Sequence, residues 1–121
     1  MERVSEAQEI YLRSVKNQPI FFLARVEDVK TIPEVGTIVK GTVTLGFLSV
    51  NELVEVIAKD GSRFILKVME VTRDNEILDL AKQGDQIEIL FDIYHADVIC
   101  VGDVVLKSNE LLSDVLASLN S

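Results

Sequence analysis

Apolar residues recur first at helical and then at strand spacing along this chain. Val4, Ala7, Tyr11 and Val15 are separated by steps of three and four. That spacing puts them on one face of a helix over residues 2–16, with Glu2, Glu6, Glu9, Arg13 and Lys16 elsewhere on its surface. Asn17-Gln18-Pro19 ends the pattern, because the residue before a proline is pushed out of the helical region. From Ile20 onward the pattern turns to β, and it predicts strands over residues 20–26, 37–45, 53–58, 63–72, 86–91 and 104–106. In the second of these Val39 and Val43 alternate with Thr42 and Thr44.

The punctuation between the strands fits short turns. Asp60-Gly61, inside Lys59-Asp60-Gly61-Ser62, is expected to form the two-residue hairpin turn in which both central residues take positive φ. Gly36, Gly41 and Gly46 fall at intervals of five through the second strand, where glycine marks bends, bulges or close backbone approach. Gly84-Asp85 and Gly102-Asp103 each precede an apolar run and read as turns into the last strands. Ser108 then caps a helix running from 109 to about 119, with Leu111, Leu112, Val115, Leu116 and Leu119 as a continuous apolar stripe. Five large aliphatics in nine residues need a surface to cover. One mouth of a barrel is one such surface, and a second copy or a partner protein is another.

Many short strands with regular turn signals argue for an all-β barrel rather than an α/β sheet, and closure removes the sheet edges that such apolar strands would otherwise expose. The expected organisation is one structural domain. It comprises an N-terminal amphipathic helix within residues 1–18, a small closed six-stranded β-barrel over 19–107 and a C-terminal amphipathic helix over 108–121.

Composition narrows the setting. The chain has 121 residues, 48% of them hydrophobic, with only six Gly and two Pro, which excludes disordered and fibrous classes. An apolar run such as IFFLA, residues 20–24, falls far short of the roughly 20 residues that span a bilayer. MERVSEAQEI lacks the apolar segment of a secretory leader, and the single cysteine, Cys100, allows no intrachain disulfide, so the expected setting is cytoplasmic. The net charge of −8 is unevenly placed. Residues 1–73 hold ten acids and ten bases, whereas residues 74–121 hold ten acids against Lys82 and Lys107 alone. Nucleic-acid backbones need clustered Lys and Arg, so the acidic C-terminal part is not expected to bind them; it suits a solvated surface or a basic protein partner.

Catalytic groups are scarce. His95, the only histidine, sits in Tyr94-His95-Ala96-Asp97 between strands, five residues from Cys100. A nucleophile–base pair would need them on one face, and alternation over five residues separates them. Cys100, between Ile99 and Val101, is expected to be a buried, inert thiol. Asp74-Asn75-Glu76 and Asp79 lack the glycine and the spaced ligands of a calcium loop, and read as a solvated connection into a helical turn. No metal or cofactor is expected.

Pro19-Ile20-Phe21, then Val26-Glu27-Asp28-Val29, then Gly36-Thr37-Ile38 with Gly41, Val43 and Gly46 follow in order along the first two strands. In these and the segments after them, residues 19–107 resemble the second, β-barrel domain of translational GTPases such as elongation factor Tu. Ser49-Val50-Asn51-Glu52-Leu53-Val54-Glu55-Val56 resembles its K-V-G-D-x-V-E-I run, and Glu70 within residues 66–71 takes an acidic strand position. Gln83-Gly84-Asp85-Gln86-Ile87 and Val101-Gly102-Asp103-Val104-Val105-Leu106 resemble the closing segments.

The resemblance implies a translation-factor-type barrel whose ligand pocket would be lined by Glu27, Asp28, Glu70 and Gln86, with the paired acids at a strand end. The departures matter as much. No G-x-x-x-x-G-K-[ST] loop is present, so the chain cannot hydrolyse GTP by the family's mechanism. Asp92 and Val101 stand where the family commonly has arginine, which weakens contact with tRNA; Asn51 replaces a glycine and keeps access to positive φ.

The function expected on these grounds is a non-enzymatic protein-binding module connected with translation or GTPase function. Leu111, Leu112, Val115, Leu116 and Leu119 are its candidate partner-binding residues and would equally build a homodimer. Two further readings come from other classes. One is an acidic inhibitory protein of immunity or antitoxin type, and the other is a barrel that binds a small ligand or an aminoacylated end.

Overall fold

Strands account for most of residues 20–93 and 98–108, which are the residues that the computed structural model describes. In chain order they are β1 (Ile20–Ile32), β2 (Gly36–Ser49), β3 (Leu53–Ile57), β4 (Arg63–Arg73), β5 (Glu76–Ile77), β6 (Leu80–Lys82), β7 (Gln86–Phe91) and β8 (Val104–Ser108). Six of them close on themselves. The order β1-β8-β3-β4-β7-β2 runs around the wall, every pairing is antiparallel, and β2 pairs back onto β1. Short β5 extends β4 at one end, and β6 pairs with the last residues of β2. The expected all-β barrel is therefore present. The helices expected over 2–16 and from 109 onward lie outside the described residues.

Alternation explains the interior. Phe22, Ala24 and Val26 on β1, Val39 and Val43 on β2, and Ile87, Ile89 and Phe91 on β7 point inward and are buried, and the residues between most of them point outward. Each fully buried Val, Ile or Phe contributes about 1.5–3 kcal/mol relative to exposure, which is how the wall of six strands holds together. Closure also demands curvature. The β1–β2 register slips at Leu23/Ala24 and again at Val26/Asp28, and the β4–β7 register slips at Val68/Glu70. At the second slip Gly41 pairs with Val26, and a Cβ on Gly41 would stand 2.5 Å from the Arg25 carbonyl oxygen. Only glycine allows the two backbones to approach so closely.

Several expectations change. β1 runs to Ile32 rather than ending at 26, so Glu27 and Asp28 sit in mid-strand beside a bulge, not at a strand end. The Asp60-Gly61 turn has positive φ at Gly61 (90°) and not at Asp60. Gly61 N donates to Ala58 O at 2.9 Å, Ala58 N donates to Ser62 O at 2.8 Å, and Asp60 Oδ1 accepts the Ser62 amide at 2.8 Å. This is a three-residue loop whose last residue is left-handed; the aspartate carboxylate closes the turn without leaving the right-handed region.

The two-residue turn with both φ positive occurs instead at Asp74 (52°) and Asn75 (67°), joining Arg73 to its partner Glu76. The segment after Arg73 is thus a hairpin leading into β5, not a helical turn. Asn51, in the turn between β2 and β3, takes φ 69°.

Candidate functional site

The outer wall formed by β1, β2, β7 and β4 brings together the four residues singled out by resemblance. Glu27 stands beside the β1 bulge and its Oε1 accepts the Thr42 hydroxyl at 2.9 Å. Thr42 pairs in turn with Gln86 on β7, so Glu27, Thr42 and Gln86 lie side by side across three strands. Asp28 pairs with Lys40, and Lys40 pairs with Glu88, forming a second row with Thr72 of β4 at its far end. Asp28 also accepts the Val29 amide at 3.0 Å. Glu70 belongs to a third row, Lys30–Ile38–Leu90–Glu70.

The four residues share a wall but do not converge. Glu27 and Asp28 are three strand spacings from Glu70, roughly 14 Å along the barrel at the usual 4.7–4.9 Å per strand. A single pocket does not join them. Glu70 instead lines a groove of about 140 Å³ with Val35, Ile38, Thr72, Glu88 and Leu90. Three of its lining residues are aliphatic and two are carboxylates. Sites for drug-sized ligands are about 300–1,000 Å³, so this groove is sized for one side chain of a larger partner.

Ile38, Leu90 and Val35 were not singled out from the sequence, although a signal for two of them was there. On β2 the outward positions read Ile38, Lys40, Thr42, Thr44, and on β7 they read Gln86, Glu88, Leu90. One aliphatic interrupts each otherwise polar outward row, and the register sets the two aliphatics opposite each other.

The turn that introduces Gln86 is rigidly held. The Asp85 carboxylate accepts the Lys82 amide at 3.0 Å and lies 3.1 Å from Arg73 Nη1, while its carbonyl accepts the Val43 amide at 2.9 Å. The Lys82 amide first, and then the Arg73 guanidinium, hold the Asp85 carboxyl below the usual carboxylate range. Asp60 is held low in the same way by the Ser62 amide. Asp103 goes the other way: it is buried, and desolvation raises its carboxyl despite the Cys100 amide bonded to it at 2.8 Å.

Cys100 is exposed, contrary to expectation. The Asp103 amide donates to the Cys100 carbonyl at 3.0 Å, so residues 100–103 make a turn, and apolar neighbours in a turn do not imply burial. His95 lies outside the described residues, as do Leu111, Leu112, Val115, Leu116 and Leu119. Among the described residues no group of three or more His, Cys, Asp or Glu side chains could hold a metal ion, and no helix is long and apolar enough to cross a membrane. No protein-family model matches the chain.

Proposed function

We propose that this chain is a non-enzymatic protein-binding module of the translation-factor-barrel kind, serving translation or GTPase function in the cytoplasm through contacts with another protein. The observation that supports this reading is the groove between β2, β7 and β4. Its aliphatic lining of Val35, Ile38 and Leu90 stands with Glu70 and Glu88 on a solvent-facing wall. Such a surface fits a partner that inserts an aliphatic side chain next to a lysine or arginine. Apolar burial supplies affinity, and the two carboxylates select for the neighbouring cation and steer approach. A basic partner also matches the net charge of −8.

The test is affinity capture of the tagged protein from its native lysate, with and without RNase, alongside a Glu70→Lys/Glu88→Lys variant. Capture of one protein regardless of RNase, lost in the variant, is the expected result. Ribosomal proteins or tRNA that disappear on RNase treatment would instead mean that the barrel contacts RNA despite its acidity. An acidic inhibitor of a basic active site would use the same charges, and it is separated by the activity of the captured partner, which would fall on binding.

A further inference from the structure

The opposite wall of the barrel carries buried aliphatic residues on its outside as well as its inside, set around one buried carboxylate, Glu55, which pairs across strands with Leu106 and lies 3.2 Å from Arg63 Nε. On β1, Phe22 and Ala24 belong to the barrel core, so Leu23 between them faces outward. On β8 the core residue is Val105, so Val104 and Leu106 face outward; on β3 the core residues are Val54 and Val56, so Ile57 faces outward. These four outward residues form an apolar cluster of their own, separate from the core. They are aligned in register, with Leu23 opposite Leu106 and Val104 opposite Ile57.

Outward residues on a barrel are normally wet. Here Ile57 and Leu106 are 0% exposed and Val104 is 2% exposed. Around them stand Leu45, Leu53 and Ile65, outward-facing and 38–43% exposed, as a partly covered rim. Among the described residues all strands belong to one sheet, and none crosses this wall as a second layer.

We propose that residues 109–121 fold back as an amphipathic helix across the outer wall of β1, β8 and β3 and cover Leu23, Ile57, Val104 and Leu106. Three observations select this segment. First, β8 runs through the middle of the wall and ends at Ser108, so the chain beyond it is tethered to the end of that wall. Second, Leu111, Leu112, Val115, Leu116 and Leu119 fall on one helical face. A helix from 109 to 119 is about 16 Å long at 1.5 Å per residue, which matches the width of about three strand spacings. Third, a tethered segment meets the wall at an effective concentration in the millimolar range, which a second copy reaches only at comparable protein concentration. Ile20 pairs with Ser108, so the N-terminal segment is tethered to the same end, but its Val4, Ala7, Tyr11 and Val15 offer less aliphatic surface. The helix covers a wall away from the Glu70–Glu88 groove and leaves that groove open.

The experiment uses the full chain with the photo-crosslinking residue p-benzoylphenylalanine placed at Leu45 or at Ile65, rim positions exposed enough to accept it. Irradiated at low micromolar concentration and mapped by mass spectrometry, both variants should crosslink within one chain to residues 109–121. Crosslinks between two chains, crosslinks to residues 1–19, or none at all would overturn the proposal. Adding Leu112→Glu and Leu116→Glu should remove the crosslink and raise binding of an apolar-surface dye several-fold. Crosslinking that survives these changes, or dye binding that does not rise, would also overturn it.

Discussion

Lys107 Nζ lies 2.6 Å from Glu52 Oε2, and the other oxygen of that carboxylate, Oε1, accepts the Ser49 amide at 2.6 Å. One side chain thereby fastens the end of β8 to the turn between β2 and β3, where Asn51 is left-handed. The two bonds are unequal. Lys107 can return its ammonium to water at little loss, whereas the Ser49 amide depends on a charged acceptor held at the head of the turn. Glu52→Ala is expected to destabilise by about 1–2 kcal/mol and Lys107→Ala by about 0.5–1 kcal/mol. Denaturant unfolding of both single variants and the double variant checks this; equal losses would mean that the ion pair, not the turn, carries the energy.

Asp103 is a buried carboxylate whose desolvation raises it above its ordinary value of 3.8, while its Oδ2 accepts the Cys100 amide at 2.8 Å. A raised folded-state value means that the folded protein holds the proton more tightly than the unfolded chain does. Its stability contribution is complete below 3.8 and is lost as pH rises through the higher folded value. Asp103→Asn keeps an oxygen to accept the amide and removes the charge. The melting temperature of the Asn variant minus that of the parent should therefore increase from acid to neutral pH. Asp103→Ala, which also removes the acceptor of the Cys100 amide, should be less stable than Asp103→Asn by about 1–3 kcal/mol at every pH. A parent–Asn difference that does not change with pH would refute the assignment.

Gly46 and Gly84 both take positive φ, at 80° and 93°, but only one of them is crowded. A Cβ on Gly46 would overlap the Phe21 carbonyl, and one on Gly84 would meet nothing within 4 Å. Gly84→Ala should therefore cost only the backbone penalty, about 1–2 kcal/mol. Gly46→Ala must also push β2 away from β1 at the bend, and its loss should exceed that of Gly84→Ala by at least about 1 kcal/mol. Thermal melts of the two variants side by side decide it.

Glu70 and Glu88 flank the groove over Ile38 and Leu90. Reversing both charges should leave the barrel's stability within about 1 kcal/mol, because half-exposed charges on an outer wall contribute little to folding. Partner association should slow at least tenfold at low salt, with the difference shrinking as ionic strength rises. A partner whose association rate ignores both the substitution and the salt does not use this groove.

Much of the barrel could be read from the chain because inward residues repeat every second position and turn residues punctuate them. The strands at 86–91 and 63–72 needed little more than that. Turn types were less legible. Asp-Gly is compatible with two hairpin loops, and Asp60 accepts the Ser62 amide through its own carboxylate, which favours the longer loop. Asp74-Asn75 carries no glycine, yet both residues adopt positive φ because pairing of Arg73 with Glu76 leaves only two residues to reverse the chain.

The candidate site shows the same division. Alternation and net charge determined an acidic all-β chain with Glu70 on a strand and Gln86 at the start of one, but left Glu27 and Asp28 past the end of the first strand. Only closure decided which of them are neighbours. Side chains on different strands meet according to register, and register here depends on the bulges beside Glu27 and Met69 and on the close approach of Gly41 to Arg25. The apolar runs at 20–24 and 104–106 were legible as strands, but not that Val104, Val105 and Leu106 are all buried while Phe21 stays exposed. That the two runs lie side by side, with Leu23 against Leu106, is a fact of pairing between residues more than eighty positions apart, which no local pattern contains.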